Sequence, residues 1–268
     1  MDQHTYGLNW LRLNQLADSA LPIGAAAHSF GLESLVEDGA LKVENLMPLL
    51  HDYLLETGTL ESAYCRAAHA IVPPTPNPSP VKREGLKNGI SPSPRKEGKG
   101  QGIGGVEPTS TIVTWLELNM RLDALKTVRE SRAASTALGR RFLQLALDLV
   151  DAGEQPALLM AQQTAKQNGI GIHHCTAFGL VGGVLQLDAN VVALAYLQQT
   201  LTGLVSACQR LLPLGQTAAS QILWNLKPTI VDAVYKESTA LEEVAAFTPM
   251  IDVGSLRHPV LSTRLFIS

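Results

Sequence analysis

The hydrophobic positions along most of this chain recur at the spacing of an α-helix. The clearest run predicts a helix over residues 131–150. Its apolar residues lie three or four positions apart and so share one face, made of Leu138, Phe142, Leu145 and Leu149. Similar stripes predict helices at 8–20, 30–38, 45–54, 59–72, 115–125, 156–167, 191–212, 217–226 and 229–247, and a buried, glycine-rich apolar helix at 169–187. The pattern therefore predicts roughly ten helices and no strand.

Composition supports one helical core. Hydrophobic residues make up 46% of the 268 residues and aromatic residues only 5%, with alanine and leucine abundant. Alanine and leucine are strong helix formers, whereas strands favour β-branched and aromatic residues. The expected fold class is all-α, a single helical bundle that forms one domain over residues 1–268.

Residues 73–110 interrupt this pattern. The segment is rich in proline and glycine, holds six basic and three acidic residues, and half-repeats itself at 78–85 and 92–100. Such a composition cannot bury enough apolar surface to offset the conformational entropy lost on folding. It predicts a disordered low-complexity insertion between two helices, and a basic docking arm is the functional alternative.

Charge, cysteine count and termini narrow the class of protein. The formal net charge is −3, so nothing in the overall charge indicates a nucleic-acid partner. The three cysteines are odd in number and widely spaced, which favours a reducing compartment over a disulfide framework. The N-terminus lacks the pattern of a signal peptide, and no apolar run is expected to span a bilayer. We expect a soluble cytoplasmic protein with neither nucleic acid nor membrane as partner.

The stretch 13–33 predicts a shaped corner near the N-terminus. The first helix is expected to stop at Pro22, which lacks a backbone donor, and Gly24 permits a turn. His28 and Ser29 follow, and Ser29 is placed to cap a short second helix. A simple packing corner and a functional corner are both compatible with this pattern.

The C-terminal tail, 249–268, shows no periodic face after Pro249, which is expected to end the regular helices. Its apolar residues alternate with Arg257, His258 and Arg264. The tail either packs back on its own bundle or becomes ordered on a partner. In the second case Phe266 and Arg264 would be its anchors, since aromatic and arginine side chains dominate interfaces.

Candidate reactive residues do not form a convincing catalytic set. Cys65 and His69 are four residues apart on one predicted helix face, a spacing that suits two metal ligands. His173 and His174 are adjacent, so their side chains point about 100° apart on a helix. No phosphate-binding or dinucleotide-binding glycine motif is present. These four residues remain weak metal-ligand candidates, and no catalytic residue is predicted.

Four segments resemble the urease accessory protein UreF family. They are QLADSALPIG…HSFGLE at 15–33, ESRAASTALGRR at 130–141, RLLPLGQT at 210–217 and RHPVLSTRLFIS at 257–268. They occur in the family's order and are spread over the whole chain apart from the insertion. The chain departs from the family pattern at Ala26 and Ala27, where an aromatic residue and a hydroxyl are usual, and at Pro259, where an acidic residue is usual.

The resemblance implies a homodimeric scaffold without catalytic activity or a permanently bound cofactor. It implies that the protein bridges UreD (also called UreH) and the GTPase UreG so that nickel reaches apo-urease, and that it regulates the GTPase. Corner and core motif residues, expected to serve complex assembly or an ion path, are Asp18, Ser19, Pro22, Gly24, His28, Ser29, Gly31, Glu33, Arg132, Ser135, Gly139, Arg140, Gly215 and Gln216. Partner-binding residues, expected to contact UreD, are Arg257, His258, Leu261, Arg264, Leu265 and Phe266.

Two alternatives belong to other functional classes. The first is a helical metal-dependent enzyme that uses Cys65 and His69 with His173 or His174 reaching across. The second is a helical nucleic-acid-binding protein that uses the basic insertion, whose binding would depend on salt.

Overall fold

The structure, a computed structural model, describes residues 2–73, 108–236, 241 and 243–268, and the side chains of α5 from residue 114 onward. Within these residues the chain forms α-helices joined by short turns, and no strand occurs among them. The helices are α1 Gln3–Leu16, α2 Leu32–Glu37, α3 Val43–Tyr53, α4 Thr59–His69, α5 Pro108–Leu125, α6 Arg129–Leu149, α7 Gln155–Gln167, α8 His174–Val184, α9 Ala189–Leu211, α10 Gln216–Asn225, α11 Lys227–Tyr235 and α12 Pro249–Arg257. The predicted all-α fold is confirmed. Most of the predicted insertion, 73–110, lies outside the described residues.

Helix α8 lies at the centre of the bundle. Every residue from His174 to Val184 is buried, and α4, α6 and α9 pack around the helix. The approach to α4 is very close, because a Cβ atom on Gly179 would lie 2.0 Å from the carbonyl oxygen of Cys65. Glycine at this position therefore sets how closely two helices meet, which explains the glycine content of this apolar segment.

One continuous helical element occupies the region where two helices, 45–54 and 59–72, were predicted. A π-helical turn, Leu54–Gly58, joins α3 to α4 without a break, and Gly58 packs against Leu197 of α9. The apolar stripes of both predicted helices therefore continue along one element and bury Leu46, Leu50, Leu54, Leu60 and Tyr64.

The first helix ends earlier than the sequence suggested. It was expected to continue to Pro22, but α1 ends at Leu16. The carboxyl group of Asp18 accepts a hydrogen bond from the backbone N–H of Ala20 at 2.8 Å. Short polar side chains that bond to nearby backbone groups favour turns over helix, so the chain turns before the proline.

The prediction that regular helix ends at Pro249 was wrong. Pro249 begins helix α12, which continues to Arg257 and is followed by a 3₁₀ turn at His258–Val260. Proline suits the first turn of a helix because its missing N–H would have no partner inside the helix there.

Helix α9 is the longest helix among the described residues. Contrary to the expectation from sequence, its 23 residues are long and apolar enough to cross a membrane. However, more than half of its most apolar stretch is buried inside the protein, where α9 contacts α4, α8 and α11. This burial is typical of a core helix.

Candidate functional site

The corner predicted at 13–33 is built on glycines in left-handed backbone conformations. Gly24 has φ +84° and Gly31 has φ +87°, a region that side-chain-bearing residues rarely adopt. Gly31 also faces α12 directly, since a Cβ there would lie 2.6 Å from the backbone nitrogen of Ser255. Gly31 is therefore needed both for its conformation and for the close packing of α2 on α12.

The carboxyl group of Glu33 holds the C-terminal tail against this corner. Its Oε2 lies 2.8 Å from Nε2 of His258. Its two oxygens also accept hydrogen bonds from the backbone N–H groups of Leu265, at 2.6 Å, and Phe266, at 3.3 Å. Glu33 and His258 are both buried, so this side chain is the central acceptor of the contact between corner and tail.

The last residues of the chain continue the same contact. The backbone oxygen of Ser268 accepts hydrogen bonds from the backbone N–H of Ser29, at 2.5 Å, and from its hydroxyl, at 3.0 Å. The hydroxyl of Ser268 lies 2.7 Å from Nδ1 of His28, and the N–H of Ile267 donates to the carbonyl of Ala27 at 2.8 Å. Two segments at opposite ends of the sequence thus form one hydrogen-bonded unit, which we call the corner–tail contact.

Arg210, at the end of α9, joins a third motif to the corner–tail contact. Its guanidinium lies 4.0 Å from the centre of the Phe266 ring and donates a hydrogen bond to the carbonyl oxygen of Ala26. A cation over an aromatic face is attracted by the ring's negative face. Arg210 begins the segment RLLPLGQT, and Arg141 of the segment ESRAASTALGRR donates to the carbonyl oxygen of Ile23 at 3.2 Å. The structure therefore brings all four motif segments together.

The tail residues expected to bind a partner divide into two groups. Phe266 and His258 are buried against their own chain. Arg264 and Leu265 are exposed, Leu261 is half-buried, and Arg257 lies 2.8 Å from Asp38. The tail therefore packs back on its own bundle while part of it faces solvent.

A cavity of about 360 Å³ lies beside the corner–tail contact. Its wall includes Ser19 and His28 of the corner, Ser135 of α6, and Ile251 and Asp252 of α12. Burial raises the pKa of Asp252, and Lys126 opposes that rise. The cavity thus borders on the corner, the α6 motif and the C-terminal tail, three regions that the sequence analysis singled out.

A buried ion pair forms part of the cavity wall. Nζ of Lys126 lies 2.6 Å from Oε1 of Glu61, and the hydroxyl of Tyr196 donates to the other carboxyl oxygen of Glu61 at 2.9 Å. Burial acts to raise the pKa of Glu61, but the charge and hydrogen bond of Lys126, the hydrogen bond of Tyr196 and the charge of His174 together outweigh burial, and the pKa is lowered. Burial likewise acts to lower the pKa of Lys126, but the charge and hydrogen bond of Glu61, with the charges of Cys175 and Asp252, outweigh burial and raise the pKa. Both groups are therefore charged, and together they link α4, α9 and the turn after α5.

Two histidines of the cavity wall present nitrogen atoms without partners. Nε2 of His28 and Nε2 of His174 are buried and make no hydrogen bond. Burial lowers the pKa of His174 to about 4, and burial together with the charge of Arg141 lowers that of His28. Neutral imidazoles and the nearby hydroxyl groups can form hydrogen bonds to a small polar guest.

The motif on α6 has structural contacts at three of its four singled-out residues. A Cβ on Gly139 would lie 2.1 Å from the carbonyl oxygen of Ile172, so this glycine permits α6 to pack against the segment before α8. Ser135 Oγ lies 3.1 Å from Nδ1 of His173, and Arg132 donates to the carbonyl of Lys126 at 3.1 Å. Arg140 is exposed.

The remaining motif residues lie at turns. Asp18 and Pro22 are exposed, and the carbonyl oxygen of Asp18 accepts a bond from Gln199 at 3.4 Å. Gly215 and Gln216 are exposed at the start of α10.

The four weak metal-ligand candidates do not converge. Burial raises the pKa of the Cys65 thiol, and Nε2 of His69 lies 2.7 Å from the carbonyl oxygen of Leu187. His173 Nδ1 is paired with Ser135, and the ring of His174 packs edge-on to Phe142. Across residues 2–73, 108–236, 241 and 243–268, no group of three or more His, Cys, Asp or Glu side chains is placed to hold a metal ion. The metal-dependent alternative therefore has no site among these residues.

Neither the Lys126–Glu61–Tyr196 cluster nor the role of Arg210 was predicted from the sequence. The cluster joins residues 65 and 135 positions apart, and the tail contacts of Glu33 span more than 220 positions. Arg210 was visible only as the first letter of a family motif, which is the one signal that could have singled it out.

Comparison with known proteins finds the UreF family over a region that includes the motif segments 130–141 and 210–217. The UreF family model matches residues 42–227. The urease accessory protein UreF of Nostoc sp. is 27% identical over 261 residues, covering 97% of this chain and 96% of that protein. That of Lachnoclostridium phytofermentans is 29% identical, covering 96% of this chain and 98% of that protein. The urease accessory protein F of Oryza sativa subsp. japonica is 27% identical, covering 99% and 86%.

The family model alone spans more than half of the chain, and the full-length relatives extend the match over the corner and the tail. The chain belongs to the UreF family.

Proposed function

We propose that this protein is a non-catalytic scaffold of urease maturation in the cytoplasm. The observation that carries the proposal is the corner–tail contact, which joins the family's N-terminal and C-terminal motifs into one hydrogen-bonded unit. The names of the relatives as urease accessory proteins support the same role. Three free, buried cysteines suit a reducing compartment.

The proposed partners are UreD/UreH, the GTPase UreG, apo-urease and a second copy of this chain. We assign the contact with UreD/UreH to the tail, because the tail combines exposed apolar residues, Leu265 and Ile267, with exposed Arg264 inside a family motif. Nickel is cargo of the assembled complex, and the scaffold regulates the GTPase. Neither nucleic acid nor a membrane is a proposed partner.

The corner has two proposed roles, in assembly of the complex and along an ion path. Its role in assembly follows from the way Glu33, Ser29 and His28 hold the tail. An ion path finds support in the cavity, which Ser19 and His28 line.

Deletion of residues 257–268 tests the tail assignment. We expect the shortened chain to keep its helical circular dichroism spectrum, since the core helices lie outside the deleted segment, and to lose capture by immobilised UreD/UreH. Capture of the shortened chain at the level of the full chain would overturn the tail assignment. If folded, immobilised UreD/UreH captures neither the full-length chain nor the shortened chain, the scaffold proposal itself is overturned.

A further inference from the structure

The wall of the cavity beside the corner–tail contact combines aromatic side chains with hydroxyl groups. Phe30, Tyr53 and Phe247 line the cavity, and so do Ser131 and Thr200. Its volume of about 360 Å³ lies within the range of small-molecule pockets, which are mostly apolar and hold a few placed polar groups. The cavity therefore has the size and the mixed lining of a ligand site.

Three buried polar atoms on this wall make no hydrogen bond within the described part of the chain. They are Nε2 of His28, Nε2 of His174 and Oε1 of Gln199. The three residues are only 7%, 7% and 4% exposed, and they belong to the corner, α8 and α9. Buried polar groups are nearly always paired, because an unpaired group gives up its hydrogen bonds to water without replacing them. Unpaired atoms from three separate elements on one cavity wall indicate a guest that pairs with them.

The amide of Gln199 determines which hydrogen-bonding group the guest must carry. Its Nε2 donates to the backbone oxygen of Asp18 at 3.4 Å, so Oε1 is the atom left for the guest. An amide oxygen only accepts hydrogen bonds, and the guest must therefore present an N–H or O–H group. Burial lowers the pKa of both His28 and His174, so both rings are neutral at pH 7, and each has one donor and one acceptor nitrogen.

The charges around the cavity favour a neutral guest. Lys126 and Glu61 pair with each other at 2.6 Å, so each charge is already neutralised by the other. An anion would face the carboxyl group of Asp252 on the wall. A cation would face Arg141, whose charge already disfavours a proton on His28. Among the described residues, no group of three or more His, Cys, Asp or Glu side chains is placed to hold a metal ion.

A small amide meets these requirements better than an alcohol does. Its N–H groups can donate to Oε1 of Gln199 and to an imidazole nitrogen. Its carbonyl oxygen can accept from an imidazole N–H or from a hydroxyl group of the wall, such as that of Ser135. An amide is also planar, so its face can lie against the aromatic rings of the wall, whereas the carbon atom of an alcohol is tetrahedral.

We propose that this cavity binds a small neutral amide, with Gln199 as the acceptor of its N–H groups and with His28 and His174 as its further hydrogen-bond partners. The inference goes beyond the scaffold role and does not depend on it. Urea is the probe for its test, because it is a neutral planar molecule with N–H groups on both sides of a carbonyl group.

The experiment titrates urea, below denaturing concentrations, into the full-length chain with isotope-labelled histidine and follows the ring nitrogen atoms by NMR. We expect saturable shifts at His28 and His174, with a dissociation constant on the order of millimolar for so small a ligand. His69 does not line the cavity, and its Nε2 lies 2.7 Å from the carbonyl oxygen of Leu187, so its ring should not shift.

Three molecules with the same planar shape as urea test the chemical class of the guest. Acetone lacks N–H groups, acetate is an anion and guanidinium is a cation. None of the three should give saturable shifts at His28 or His174, because Gln199 requires a donor and the surrounding charges disfavour an ion.

Two variants and one control locate the site. Gln199→Leu removes the acceptor and should weaken urea binding at least about tenfold. Gln198→Leu on the same helix, where the glutamine lines a different groove, should bind urea as wild type. Gly203 lines the cavity, and a Cβ there would meet no atom within 4 Å, so Gly203→Leu should fill the space and abolish the shifts while the chain stays folded. Circular dichroism checks all three variants, and Gly203→Leu replaces Gln199→Leu if the latter does not fold.

The possible outcomes separate this inference from the scaffold role. Shifts that rise linearly with urea at every histidine would be a solvent effect and would overturn the inference, as would wild-type binding by Gly203→Leu. Saturable shifts with acetate or guanidinium would mean a charged guest, tighter binding of glycerol than of urea would mean a polyol site, and displacement of urea by Ni²⁺ would mean an ion site. Each of these results would contradict the proposal. Lost capture by UreD/UreH after deletion of 257–268, together with no binding of urea, would leave the scaffold role standing and this inference refuted.

Discussion

His174 illustrates how burial determines whether a side chain is charged in this protein. Its ring lies among Phe142, Phe178 and Tyr196, with ring centres 5.4, 6.3 and 5.3 Å away. This apolar environment disfavours the charged imidazolium, and the pKa falls to about 4. The neutral ring therefore acts as a core aromatic residue with one nitrogen atom left without a partner.

The lowered pKa of His174 predicts a loss of stability in mild acid. The unfolded chain binds a proton at His174 below its ordinary pKa of 6.5, whereas the folded chain does so only near 4. The unfolded state therefore binds more protons in this window, and the free energy of unfolding falls as the pH drops from 6.5 towards 4. At pH 5 this one group contributes a loss of about 2 kcal/mol.

His174→Phe tests this prediction, because phenylalanine suits the aromatic surroundings and does not titrate. Urea denaturation at pH 7.5 and pH 5 should show a decrease in unfolding free energy that is smaller in the variant by about 2 kcal/mol. His173, whose pKa is also lowered by burial, to about 3, keeps its own contribution in both proteins. An identical decrease in variant and wild type would contradict the prediction.

At the residue scale the sequence could single out motif residues, but it could not show which of them are in contact. The family motifs singled out Glu33, His258 and Phe266 by name. Nothing in their spacing showed that they touch, because Glu33 and His258 lie 225 positions apart and no periodicity links them. The same distance in sequence hid the fact that Phe266 is buried on its own chain.

Helix α8 is the element on which the packing of the bundle depends. Because it is buried all round, its glycines determine how closely the neighbouring helices approach. A Cβ on Gly179 would lie 2.0 Å from the backbone oxygen of Cys65, which cannot rotate away. Gly203 on α9 has no atom within 4 Å of the corresponding position.

These two glycines form a matched pair for mutation. Gly179→Ala should force α4 and α8 apart and lower the unfolding free energy by about 1–3 kcal/mol or more. Gly203→Ala should leave it unchanged or raise it by up to about 1 kcal/mol, since alanine favours helix. Urea denaturation of both variants measures the difference. Equal effects of the two substitutions would show that close backbone packing at α8 does not limit stability.

Helix positions were largely predictable because a buried helix face imposes a period of 3.6 residues. The prediction of 131–150 agrees with α6, Arg129–Leu149, to within two residues. Helix α12 was missed for a physical reason, since most of its large apolar residues face outward and its inner face is made of Ile251, Gly254 and Ser255. A helix that packs through small residues shows no ordinary amphipathic stripe, and Pro249 read as a helix end.

On the scale of the whole molecule, the corner–tail contact ties together segments from both ends of the chain. Glu33 on α2 receives the tail, α12 rests on Gly31, and Arg210 at the end of α9 lies over Phe266. If these contacts present the tail to a partner, weakening them should loosen the tail without unfolding the bundle. Local opening of this kind is measured by hydrogen exchange of the backbone amides.

Glu33→Ala is the direct test, with Glu37→Ala as its control one helical turn further along α2, where the side chain is exposed. Removing the Glu33 carboxyl group leaves the amides of Leu265 and Phe266 and the ring of His258 without their acceptor. Exchange at residues 265–267 should become about tenfold faster or more, since a hydrogen bond to a charged group contributes about 1.5–3 kcal/mol. Exchange in α8 should stay at its wild-type rate in both variants. Faster exchange in α8 as well would mean that Glu33 supports the whole bundle, whereas unchanged exchange at 265–267 would mean that the tail is held by Arg210 and Ser29 without it.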